Sequence, residues 1–191
     1  MSFDLNLFES TPVLGIIRGV KLNCLHGVVE ACLGGGLSYL EITQNTPDYI
    51  QYIQIINKEY PQVVVGAGTI LSVVDAQKAF DAGAKFLVAP DFNENVSKFC
   101  VDKKLAYFPG ALTPTEIQKA WNSGAVMVKV FPASQMGPTY FKQIKGPFDK
   151  IKLMAVGGVN PKNIKDYLTS GADALALGGS IFSIKRMEYR L

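Results

Sequence analysis

One histidine and three cysteines are the only imidazole and thiol groups in this chain. Cys24, Cys32 and Cys100 form no C-x-x-C pair and meet no cluster of histidines, since His26 stands alone, so neither a zinc site nor a disulfide framework is expected. Long apolar runs are missing too. None approaches the roughly 18 residues that a membrane span requires, and the opening stretch from Met1 to Glu9 carries acids without the basic region of a secretory leader. The expectation is a cytoplasmic protein with reduced thiols. Charge of one sign is equally scarce. The 19 basic and 16 acidic residues leave a net charge of +3 with no runs, which excludes a nucleic-acid stripe and a polybasic membrane patch. A small anionic molecule is the more economical partner.

What is present is apolar and periodic. Of 191 residues 48% are hydrophobic, enough for one well-buried domain across 1–191 and too few for two comfortable ones. Eight short β-branched or apolar runs, at 13–18, 38–43, 63–67, 85–90, 105–109, 126–131, 152–156 and 173–177, alternate with helix-like stretches. Helical periodicity shows in Val73-Val74-Ala76-Gln77-Ala79-Phe80 and in Asn163-Ile164-Tyr167-Leu168, and Thr46-Pro47, Thr113-Pro114 and Asn160-Pro161 read as helix starts. Such alternation is the pattern of βαβ units. Eight of them predict an α/β fold of the (β/α)8 TIM-barrel type, with an open doubly wound sheet as the alternative. Only 11 residues follow Ser180, so a short version of the barrel with an abbreviated C-terminal helix is expected.

A weak repeat runs through the chain: a helix end, a glycine, then a strand, at Gly35-Gly36-Leu37, Ala82-Gly83-Ala84, Ser123-Gly124-Ala125 and Ser170-Gly171-Ala172. The fifth residue after the glycine is Glu41, Val88, Lys129 and Ala176 in turn. Two charges therefore occupy equivalent places in strands that are otherwise almost continuously apolar, where an unpaired charge costs several kcal/mol. If that position points inward, Lys129 and Glu41 share the barrel interior. A buried structural ion pair is one reading. The other is chemical. A lysine attacks a ketone only as the free amine, and lowering its pKa from about 10.4 to about 7 or 8 requires roughly 3 to 4 kcal/mol of disfavoured charge, which an apolar wall supplies. A carboxyl nearby moves protons. Because a carboxylate alone would raise the lysine pKa, Glu41 is expected to be protonated, separated by water or balanced by Arg18 at the end of the first run.

Gly157-Gly158 follow the seventh run and Gly178-Gly179-Ser180 the eighth, the two loops in which many barrels hold a phosphate on backbone N–H groups. Tight turns alone also call for glycines there. Gly66-Ala67-Gly68-Thr69 adds a hydroxyl at the same end and lacks the spacing of a dinucleotide fingerprint. His26, Trp121 and Asp102-Lys103-Lys104 read as surface, packing and a solvated helix end.

Five segments, Gly15-Ile16-Ile17-Arg18-Gly19-Val20, Leu40-Glu41-Ile42-Thr43, Gly66-Ala67-Gly68-Thr69, Lys129-Val130-Phe131-Pro132-Ala133 and Val156-Gly157-Gly158-Val159, stand together and in register. From about residue 13 to about residue 182 the chain resembles the bacterial 2-keto-3-deoxy-6-phosphogluconate (KDPG) / 4-hydroxy-2-oxoglutarate (KHG) aldolases. The resemblance implies a class I aldolase that needs no metal or other cofactor, works as a homotrimer, and cleaves a phosphorylated keto-deoxy sugar acid to pyruvate and glyceraldehyde 3-phosphate. It matches Lys129 to the Schiff-base lysine and Glu41 to the general acid/base. Thr69, Pro90 and Phe131 match the pyruvate pocket; Gly157, Gly158, Gly178, Gly179 and Ser180 match the phosphate loops. Many members carry an arginine four residues after the glutamate, where this chain has Asn45. Arg18 is expected to take over the carboxylate, as in a branch that includes the galactonate-derived homologue. The rival readings are a phosphate-binding barrel isomerase or synthase that uses no imine, and a barrel that only senses sugar phosphates.

Overall fold

The computed structural model describes residues 3–182. A short helix, α1 (Leu5–Ser10), is capped by Asp4, whose carboxylate accepts from the N–H groups of Asn6 and Leu7. Strand β1 (Val13–Ile17) follows, then α2 (Leu25–Gly34), β2 (Tyr39–Thr43), α3 (Tyr49–Glu59), β3 (Val64–Gly68), α4 (Val73–Asp81), β4 (Phe86–Val88) and α5 (Glu94–Lys103). The second half comprises β5 (Ala106–Phe108), β6 (Gly110–Ala111), α6 (Pro114–Asn122), β7 (Val128–Val130), α7 (Ala133–Met136), α8 (Pro138–Lys145), β8 (Leu153–Val156), α9 (Ile164–Thr169) and β9 (Ala174–Leu177).

All strand pairs are parallel, in the order β5-β4-β3-β2-β1-β9-β8-β7-β6. The two ends of that order are consecutive in the chain and separated by Pro109 alone, so β5 and β6 are one barrel strand interrupted where proline has no N–H to give. The seam is held by Val126 N donating to Tyr107 O (3.1 Å), Lys129 N to Pro109 O (2.8 Å) and Phe131 N to Ala111 O (3.1 Å). The result is a nearly closed TIM barrel, which excludes the open doubly wound sheet. Each of the eight expected runs meets a barrel position, and the fifth extends past Pro109 to Ala111.

The repeated glycines end helices as expected. Gly36, Gly83, Gly124 and Gly171 all have left-handed φ, from 76° to 99°, and after Gly36, Gly83 and Gly171 the next residue's N–H closes back onto the preceding helix, Leu37 to Cys32 O, Ala84 to Ala79 O and Ala172 to Tyr167 O. Lys104 does the same after α5 without being a glycine, at φ 53°. Thr113-Pro114 does open a helix, with a full capping box to Glu116. The other two expected starts are corrected. Helix α3 begins only at Tyr49, after Asp48, because the Thr46 hydroxyl is taken up by the loop, and α9 begins at Ile164, with Asn163 rather than Asn160 at its N-cap. The expected abbreviated last helix falls on 183–191, outside the described residues.

Alternate strand residues face two ways. Leu40, Ile42, Val65, Ala67, Val128 and Val130 pack outward against the helices, while Tyr39, Val64, Phe86, Val88, Met127, Met154 and Ala176 fill the lumen. At the N-terminal ends of the strands the lumen is sealed by aromatic rings. Phe8 of α1 sits 4.9 Å from Tyr39 and 6.1 Å from Phe108 between centroids, and Phe3 contacts Phe8, Tyr39, Phe86 and Phe108 at 5.4–5.7 Å. Ion pairs fasten that end: Glu9 with Lys152, and Lys145 with Asp173 at 2.7 Å.

Candidate active site

Glu41 on β2 and Lys129 on β7 both point into the lumen, as the repeat predicted. They approach from well-separated strands and are almost fully withdrawn from water, at 1% and 6% exposure. Among the described residues no hydrogen bond or ion pair joins them, and Glu41 Oε2 is buried without a partner. Burial raises the Glu41 carboxyl above its ordinary range, against the opposing pull of Lys129 and then Arg18. Burial likewise lowers the Lys129 ammonium; Glu41 opposes that shift, Arg18 adds to it and Asp91 opposes it. Both shifts favour the uncharged form. A neutral amine with a carboxylic acid holds the same number of protons as an ammonium with a carboxylate, so desolvation favours the uncharged pair, a nucleophile and a proton donor within one lumen.

A glycine makes the room for this. A Cβ built on Gly68 would lie 1.7 Å from Glu41 Oε1 and 2.3 Å from Cδ, so the carboxyl rests directly on the backbone of β3. Gly66 performs the same service for the Phe86 ring, with a Cβ contact of 2.4 Å. On the opposite wall Phe131 places its ring centroid 5.0 Å from Lys129 Nζ. A Cβ on Gly157 would meet that ring at 3.2 Å, so the loop after β8 is packed against the lysine's aromatic neighbour.

The remaining sequence-predicted residues all lie at the C-terminal ends of strands. Arg18 is exposed immediately after β1, Asn45 is exposed after β2, and Thr69 follows β3 with a φ of 62°, an uncommon conformation for a β-branched residue that costs about 1–3 kcal/mol. The Pro90 carbonyl lies so close to Gly110 that a Cβ there would approach it to 2.1 Å. Gly157 and Gly158 have φ of 92° and 79°, and Gly178, Gly179 and Ser180 follow β9. Among the described residues the N–H groups of Gly158, Val159, Gly179 and Ser180 have no hydrogen-bond partner. No hydrogen bond joins Asn45 or Ser180 to another of these residues.

Several contributors were not singled out in the sequence. Thr46, read as a helix start, accepts from Gly19 N (3.0 Å) and pairs with Thr43 Oγ1 (3.1 Å), which donates to Ile17 O (3.4 Å). This chain ties the Arg18 loop to the Asn45 loop. Asp91, after β4, is close enough to act on Lys129. Two inward glycines on a strand beside an inward glutamate were the one available signal for Gly68. No helix among the described residues is long and apolar enough to cross a membrane, and no three His, Cys, Asp or Glu side chains among them are grouped to hold a metal ion.

The family model for KDPG and KHG aldolases matches residues 5–189. The chain is 32% identical over 176 residues to the KHG/KDPG aldolase of Escherichia coli (strain K12), covering 92% of this chain and 82% of that one. It is also 32% identical over 174 residues to the 2-dehydro-3-deoxy-6-phosphogalactonate aldolase of the same strain, covering 90% and 84%. Among solved structures, the KDPG aldolase of Legionella pneumophila superposes with a TM-score of 0.89 at 26% identity, over 96% of this chain and 90% of that one. That crystal holds pyruvate captured at low pH as a covalent carbinolamine.

Proposed function

Because the chain belongs to the KDPG and KHG aldolase family, we propose that it is a lyase that cleaves 2-dehydro-3-deoxy-6-phosphogluconate, or its galactonate epimer, to pyruvate and glyceraldehyde 3-phosphate through an imine on Lys129. The observation that carries this reading is the buried lysine whose amine form is favoured inside a lumen that also holds a buried carboxyl.

The neutral Lys129 amine adds to C2 of the keto acid, and the carbinolamine loses water to give a protonated imine. Glu41 supplies the proton for that departure and is left as a carboxylate. It then takes the proton from the C4 hydroxyl, directly or through a water. As the C3–C4 bond breaks, its electrons move into the imine to form an enamine, and glyceraldehyde 3-phosphate leaves. Protonation of the enamine at C3 by Glu41 and hydrolysis of the imine release pyruvate and the free amine. Arg18, Asn45 and Thr69 orient the substrate carboxylate, Pro90 and Phe131 line the pyruvate pocket, and Gly157, Gly158, Gly178, Gly179 and Ser180 receive the phosphate. Binding at both ends then fixes the reacting carbons between them. The same machinery accepts 4-hydroxy-2-oxoglutarate, giving pyruvate and glyoxylate.

We read the chain as a single barrel domain over 1–191 acting as a homotrimer in the cytoplasm. The exposed apolar side chains Leu71, Val73 and Val74 at the start of α4 support an interface between copies. Incubation with pyruvate and borohydride, followed by peptide mass spectrometry, tests the chemistry. A reduced adduct on Lys129 is expected; a folded protein without one would return the reading to a phosphate-binding barrel that uses no imine.

A further inference from the structure

Asn163 occupies the N-cap of α9, yet its side chain accepts no hydrogen bond from that helix. Asparagine is favoured at this position because it ordinarily makes that bond. Here both ends of the amide are turned to the loop that follows β8. Nδ2 donates to Gly158 O at 3.0 Å, and Oδ1 accepts from Asn160 N at 2.8 Å. Asn160 donates from Nδ2 to the same Gly158 carbonyl at 3.1 Å, and its own Oδ1 accepts from Lys162 N at 3.0 Å.

A carbonyl held by two donors fixes the plane of its peptide. In a trans peptide the N–H points opposite to the C=O, so pinning Gly158 O sets the direction of the Val159 N–H. Among the described residues that N–H has no acceptor, although Val159 is 97% withdrawn from solvent by its 3% exposure. Backbone N–H groups left unpaired on buried residues are rare in folded proteins, so this one calls for a partner supplied by water or a ligand. The Gly158 N–H is also without a partner among the described residues, but it belongs to the preceding peptide, whose Gly157 carbonyl accepts from Ser134 N at 3.0 Å.

We propose that Asn163, assisted by Asn160, is a positioning residue that gives up its helix cap to aim the Val159 N–H group at the substrate phosphate. The proposal rests on the phosphate assignment made above for the Gly157-Gly158 loop. It concerns orientation of the loop and leaves the imine chemistry to Lys129 and Glu41.

The test is steady-state cleavage of the phosphorylated substrate with inorganic phosphate as a competing ligand, in the full chain and in Asn163→Ala, Asn163→Asp and Asn160→Ala. For Asn163→Ala, Ki for inorganic phosphate and KM rise together by about tenfold, the loss of one or two hydrogen bonds' worth of orientation, while kcat falls by less than about threefold. Asn163→Asp keeps the shape and the acceptor, places a carboxylate against the Gly158 carbonyl, and raises Ki at least as far. Asn160→Ala removes one donor, raises Ki by a smaller factor and carries the test if the Asn163 variants do not fold. A fall in kcat with Ki unmoved would overturn the role of Asn163 and leave the phosphate assignment standing. Failure of inorganic phosphate to inhibit the unmodified protein would overturn that assignment, and the proposal with it.

Discussion

The two ends of the barrel are built on opposite principles. At the N-terminal ends of the strands the lumen is closed by Phe3, Phe8, Tyr39, Phe86 and Phe108, ring against ring, with Glu9–Lys152 and Lys145–Asp173 at the rim. At the C-terminal ends stand, among the described residues, a buried lysine with no hydrogen bond or ion pair, a carboxyl oxygen with no hydrogen bond, a threonine in the left-handed region and loops whose N–H groups lack acceptors. One end lowers the free energy of the fold. The other carries the desolvated and strained groups that chemistry needs, and tolerates them because the first is well packed.

The comparison can be broken most forcefully at Lys129. Lys129→Ala is expected to cost roughly 10^4-fold or more in kcat and to abolish borohydride trapping of pyruvate. A variant retaining near-wild-type turnover would remove the imine mechanism. At the other end, Phe8→Ala leaves a cavity in the aromatic seal and is expected to destabilise the fold by about 3–5 kcal/mol, read by denaturant unfolding. Its kcat, measured well below the new melting temperature, stays within a small factor. If kcat collapsed along with stability, the two ends would not be separable.

Gly68→Ala sharpens the comparison from the inside. The added methyl cannot coexist with the present Glu41 carboxyl, and displacing a catalytic group by about 1 Å costs on the order of 10^2-fold in rate. The expected signature is a fall in kcat with an altered pH profile. Gly66→Ala, which meets Phe86, serves as the packing control and is expected to shift melting temperature more than the pH profile.

The smallest effect carries a sign. Between the ordinary carboxylate value of 4.5 and the raised value of Glu41, the folded protein keeps a proton that the unfolded chain has released, so this group's contribution to stability falls as pH rises. Between the lowered value of Lys129 and the ordinary 10.5, the unfolded chain keeps a proton that the folded protein has released, so that contribution recovers as pH rises. The two costs overlap most near neutrality. Lys129→Met with Glu41→Gln is therefore expected to stabilise the fold by about 1–3 kcal/mol there, with the gain shrinking toward pH 4.5 and pH 10.5. A gain that does not vary with pH, measured by melting temperature across that range, would mean that burial perturbs neither group.

The sequence carried the barrel because its signals are local and periodic: apolar runs, glycine at helix ends, and a shared register that put Glu41 and Lys129 on the same inward position. It carried much less of what one element does to another. Thr46 and Asn160 look like helix starts from their prolines, yet the hydroxyl of one and the amide of the other are taken by loops. The break at Pro109 was hidden because the strand resumes on its far side, and α1 went unread because six residues give too little periodicity. Gly68 is a bare glycine in one dimension; its role appears only when β2 lays Glu41 across it.

That contact also constrains how the site can change. Every replacement of glycine at position 68 installs a Cβ, and with Glu41 where it lies that Cβ would stand 1.7 Å from Oε1. A substitution at position 68 therefore forces the Glu41 side chain to move, whereas a short residue at position 41 would leave room for it. Lineages and libraries can therefore change position 68 at least cost after position 41 has been shortened, so the order in which the two positions change sets how far activity falls on the way.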